Sequence, residues 1–154
     1  MTQYEKRYLR LISHLDDTRK ADSYYSAACF LLAGTNGTFR AAMEHIGVED
    51  GAFIDFAAIR RQIKKNAGSR DEILLTDIAF SLFACGKTSS VTPRDMAELP
   101  SELLELVAVA LFVAGGKARI SFENGEMTVD FSRHRENKAW NCMAGGKDME
   151  FNII

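Results

Sequence analysis

The chain has 154 residues, 47% of them hydrophobic and 26% charged, the balance of an ordinary globular domain able to bury a core without disulfide or metal staples. Its formal charge of -2, from 19 basic and 21 acidic residues, excludes a global field drawing it to nucleic acid or an anionic membrane and leaves that role to local patches. Three widely spaced cysteines, Cys29, Cys85 and Cys142, with no CxxC pair among them, argue against both a disulfide framework and a zinc site.

Tyr4, Tyr8, Leu11, Ile12 and Leu15 recur at helical spacing, with Glu5, Lys6, Arg7 and Arg10 mostly on other faces, so the first element is expected to be an amphipathic helix. The N-terminal stretch Met1-Thr-Gln-Tyr-Glu-Lys-Arg-Tyr8 lacks the apolar core of a secretion signal, and no stretch approaches the roughly 20 apolar residues that span a bilayer. A cytoplasmic protein without membrane contact is expected. Asp22 or Ser23 can cap a second helix running to a stop at Gly34, apolar on most sides and therefore central. The cluster Gly34-Thr-Asn-Gly37 reads as a turn. From Thr38 a short helix places Phe39, Ala42, Met43 and Ile46 on one side.

Residues 48–54 read as a connection, after which Asp55 caps a helix carrying Phe56, Ile59 and Ile63 inward and a basic face outward. Ser69 and Glu72 match a capping box, and the apolar run from Ile73 to a stop at Gly86 is expected to be the most buried helix. Thr92-Pro93 and Pro100-Ser101 open two further helices, the second strongly apolar and closed by Gly115-Gly116. The period then changes from helical to alternating. Asn124-Gly125 tolerates the positive φ values of a two-residue hairpin turn, which would pair Phe122 with Met127, Ile120 with Val129 and Arg119 with Asp130. The expectation is a mainly α, bundle-like single domain with a C-terminal β-hairpin (an α+β chain) over residues 1–131, followed by a polar and aromatic tail or added strand over residues 132–154.

No residue pattern amounts to a catalytic, metal-binding or nucleotide-binding signature, so no cofactor is expected and an enzyme is the least favoured class. His14, His45 and His134 lie on separate segments, and His14 suits the end of a helix, where a cation meets the negative pole. Glu44 and His45 are adjacent and so point in different directions on a helix. The glycine clusters at residues 34–37, 115–116 and 145–146 lack the strand, spacing and helix of a phosphate loop. Two patches are candidates for binding. Arg60, Arg61, Lys64 and Lys65 form i, i+4 pairs that could meet nucleic acid, although a solvated helix face is the commoner meaning. Arg133, Arg135, Lys138 and Trp140 combine charge with an aromatic, a composition enriched where proteins bind one another.

The segments Asp22-Ser-Tyr-Tyr-Ser-Ala-Ala-Cys-Phe-Leu-Leu-Ala-Gly34 and Glu72-Ile-Leu-Leu-Thr-Asp-Ile-Ala-Phe-Ser-Leu-Phe-Ala-Cys-Gly86 loosely resemble small uncharacterised helical proteins of Gram-positive bacteria and their mobile elements, over about residues 20–115. The resemblance implies a small bacterial accessory protein that works by binding, and it carries no functional residues. The favoured expectation is a non-enzymatic protein–protein interaction module, with homodimerisation through the hairpin edge as one form. The alternatives are a nucleic-acid-associated protein using the basic helix, and a phage-type inhibitor of a bacterial defence enzyme.

Overall fold

In the computed structural model the residues described are 1–47, 53–83 and 90–131. They form eight helices and a hairpin: α1 Gln3–Ser13, α2 Asp17–Lys20, α3 Ser23–Leu32, α4 Asn36–His45, α5 Phe56–Lys65, α6 Arg70–Phe83, α7 Pro93–Ala97, α8 Ser101–Ala114, β1 Arg119–Glu123 and β2 Glu126–Asp130. The mainly α, α+β architecture is as the periodicity indicates. Among the described residues no helix is long and apolar enough to cross a membrane. The tail from residue 132 onward, with Arg133, His134, Arg135, Lys138, Trp140 and Cys142, lies outside the described residues, as does Cys85.

Helix α3 is the centre of the molecule. Ala27, Ala28, Cys29, Phe30, Leu31 and Leu32 are all buried, and α3 packs against both α6 and α8. Its small residues let neighbouring helices approach closely while its leucines fill the gaps between them. The expectation that α6 would be the most buried helix is corrected here. Only Leu75, Thr76, Ile78 and Ala79 of α6 are buried; Asp77 is half-buried against α5 and Phe80 is exposed, on a helix that has neighbours on part of its circumference.

Most helix starts follow the sequence signals. Asp22 accepts from the N–H groups of Tyr24 and Tyr25, Asp55 from that of Ala58, and Thr92 from that of Asp95 with the reciprocal bond present. Helix α4 starts earlier than expected. Thr35 is its N-cap, bonded reciprocally with Thr38, so Gly37 lies in the first turn and not in a loop. The single-turn helix α2, capped by Asp16, was not anticipated; its charged sequence offers no apolar period to read. His14 stands at the C-cap of α1.

The end of α8 is a Schellman motif: the Lys117 N–H reaches the Phe112 carbonyl at 2.8 Å and the Gly116 N–H reaches that of Val113 at 3.0 Å, with Gly116 at φ +67°. The turn releases the chain into the hairpin, whose register is the expected one, Phe122 opposite Met127, Ile120 opposite Val129 and Arg119 opposite Asp130. Its apolar face packs on the helices: Phe122 stacks on Tyr8 with centroids 6.1 Å apart, and Phe131 meets Phe112 edge-on at 5.4 Å. Beneath these contacts, the Tyr8 hydroxyl bonds Ser26 and that of Tyr4 donates to the Phe30 carbonyl, fastening α1 to α3.

Candidate functional site

The basic patch on α5 is divided by the structure. The Arg60 Nε donates to Asp77 Oδ1 of α6 at 2.8 Å, so this side chain holds two helices together. Arg61, Lys64 and Lys65 are exposed and enter none of the ion pairs among the described residues. Arg70, just beyond, is drawn away toward α7, where it meets Glu98 at 3.0 Å and Asp95 at 3.8 Å. The patch is thus a run of solvated cations on one helix face.

The titratable residues weighed in the sequence are occupied by local roles. His45 Nε2 lies 2.6 Å from Gln62 Oε1, an N–H donor to an amide oxygen that ties α4 to α5, while Glu44 is exposed. The two do not form a couple. Cys29 is fully buried, and burial pushes its thiol up to about 12, which leaves it protonated and inert as a nucleophile at neutral pH. Burial also raises the Tyr8 phenol to about 12, against the opposing hydrogen bond from Ser26. Among the described residues no group of three or more His, Cys, Asp or Glu side chains is placed to hold a metal ion.

The surface that sequence reasoning missed is the outward face of α8. Val107, Ala110, Val113 and Ala114 point into the core, yet the opposite side of the helix is apolar as well. Leu104 is 37% exposed and Leu111 46% exposed, with exposed Ala108 between them. The spacing of four and then three residues sets them in one stripe. A solvent-facing helix side in a globular protein is normally polar, as it is on α5. The signal was legible: α8 has 14 residues with Glu102 and Glu105 as its only charges, so its apolar residues necessarily surround the axis, whereas one flank of a two-layer packing can reach the core.

A second surface lies at the hairpin. Glu5 of α1 accepts the Met127 N–H at 2.9 Å on the outer side of β2. That bond, with those from Thr2, holds the Glu5 carboxyl below its usual range. On the β1 side the chain borders a cleft of about 410 Å³ whose walls include Leu9, Ile12, Lys20, Asp22, Ile120 and Phe122. No protein-family model matches the chain, and no curated protein or solved structure matches it significantly.

Proposed function

We propose that the protein is a non-enzymatic protein–protein interaction module, a small cytoplasmic accessory protein of a bacterium or mobile element, which docks another protein on the outward face of α8 and associates with itself as a homodimer. The observation that carries the reading is the exposed Leu104, Ala108 and Leu111 stripe on a helix whose other side is already core. Contiguous apolar surface of this kind marks binding surfaces more often than chance, because leaving it in water forgoes the free energy that burial would return. The tail residues Arg133, Arg135, Lys138 and Trp140 belong to the same proposal as a second contact region. The basic face of α5 supports nucleic-acid binding less well, since Arg60 is committed to Asp77.

The test is affinity capture from lysate of the source organism with the wild-type chain, with Leu111→Glu, and with Lys64→Glu, under nuclease and high salt. A protein retained by wild type and Lys64→Glu but lost by Leu111→Glu supports the reading. Loss confined to Lys64→Glu, with nucleic acid in the wild-type eluate, contradicts it.

A further inference from the structure

Strand β1 has an open edge whose phase can be read from the hairpin. The two-residue loop makes Glu123 and Glu126 the pair that exchanges both main-chain hydrogen bonds, and alternation then leaves Phe122, Met127, Ile120 and Val129 with N–H and C=O groups directed away from the partner strand. Met127 verifies the phase, since its N–H reaches outward to Glu5. The outer side of β2 is in this way partly taken by α1. On β1 the outward groups belong to Ile120 and Phe122, at the cleft, and no hydrogen bond outside the hairpin reaches them among the described residues. An edge of this kind is a template for strand addition.

The sequence of β1, Arg-Ile-Ser-Phe-Glu, is complementary to itself when reversed. We infer that the homodimer proposed above forms by antiparallel addition of β1 to β1 of a second copy, centred on Ser121. In this register Ile120 of each copy lies opposite Phe122 of the other, and both residues are the ones with outward main-chain groups, so each pair exchanges both bonds. Arg119 lies opposite Glu123 of the second copy, twice over, and an aliphatic residue faces an aromatic one, both favourable cross-strand pairings. Every apolar side chain stays on the apolar face and every charged one on the opposite face, which a slip of one residue would destroy. Registers displaced by two residues lose the opposition of Arg119 to Glu123.

A second observation points the same way. Within one chain Glu123 stands directly opposite Glu126, both exposed and neither in an ion pair among the described residues, and like charges so placed weaken a hairpin. Addition of a second β1 gives Glu123 the opposite charge it lacks. The inference rests on the self-association reading and is independent of the α8 face.

Sedimentation equilibrium on the full chain tests it. Wild type is expected to show a monomer–dimer equilibrium. Glu123→Arg improves the local pair with Glu126, so it does not unfold the hairpin, but it sets two like-charged pairs at the interface and should raise the dissociation constant roughly tenfold or more. Arg119→Glu should do the same, although it also sets a carboxylate opposite Asp130 of its own hairpin, so its fold is checked by circular dichroism; an equimolar mixture of the two variants should recover dimer near the wild-type dissociation constant. Single variants that dimerise like wild type, or a mixture that does not recover, would overturn the inference. Dimer lost in Leu111→Glu but kept in Glu123→Arg would also overturn it, moving self-association to α8 and leaving the interaction reading intact. A wild-type chain that is monomeric at every soluble concentration defeats the dimer alone.

Discussion

Glu72 is the side chain on which most local structure converges. Its carboxylate accepts from the Ser69 N–H at 3.0 Å and from the Thr35 hydroxyl at 3.1 Å, so one negative charge sits at the N-terminal ends of both α6 and α4, where the helix dipoles favour it. The space it occupies explains two glycines. A Cβ on Gly37 would lie 2.0 Å from Glu72 Oε1, and one on Gly68 would lie 2.9 Å from Oε2 and 2.4 Å from the Ile63 methyl. Gly68 was legible as a helix stop, but the left-handed residue there is Ala67, at φ 54°; the glycine is needed one place later, for room. The capping box of Ser69 and Glu72 was readable because its partners are three residues apart, whereas the reach to Thr35 crosses the fold. Gly37→Ala should therefore destabilise the protein by about 1–3 kcal/mol by displacing a bonded carboxylate, although alanine is ordinarily the better helix former by up to about 1 kcal/mol. In a Glu72→Ala background the same substitution should become neutral or stabilising. Urea unfolding of the four proteins closes this cycle, and additive effects would show that the two residues are not coupled.

Among the elements, the hairpin was the most legible and its attachment the least. Asn124-Gly125 fixes the turn and alternation fixes the faces, so the register follows from local rules. That Tyr8 stacks on Phe122 and Glu5 holds the Met127 N–H depends on where α1 lies, which no local pattern specifies. The Glu5 bond makes hairpin attachment sensitive to acid. Hydrogen bonds from Met127 and Thr2 favour the charged carboxylate and lower its pKa. A depressed pKa means that the stabilisation is complete above the unfolded value and is lost as the pH falls through the folded one. The Met127 amide shift in NMR should accordingly titrate with a midpoint below the ordinary glutamate value of about 4.3, and Glu5→Gln should remove that titration. A midpoint at or above the ordinary value would contradict the bond. In the same way, the helix caps at Asp22, Asp55 and Thr92 were readable from the chain, while the single turn of α2 was not, being polar throughout and dependent on α3 beside it.

For the whole molecule, what was legible is which residues are apolar and at what period; what was not is how many sides of each helix find a neighbour. Helices α3 and α8 look alike in sequence, both apolar nearly all round. The fold surrounds α3 from Ala27 to Leu32 and leaves one flank of α8 uncovered by the described residues, and that difference locates the proposed binding face. The basic patch shows the converse: four cations were visible in sequence, but only the packing of α5 on α6 reveals that Arg60 serves Asp77. Whether the outer stripe of α8 is an interface and not part of the core is decided by measuring unfolding free energy and partner capture together in Leu104→Glu/Leu111→Glu, with Leu75→Ala as the core control. Leu75 is fully buried, and its truncation should cost about 2–5 kcal/mol. The double glutamate variant is expected to unfold within about 1 kcal/mol of wild type yet to lose its partner. A variant destabilised as much as Leu75→Ala, with capture retained, would mean that the stripe packs against the protein itself and is not an interface.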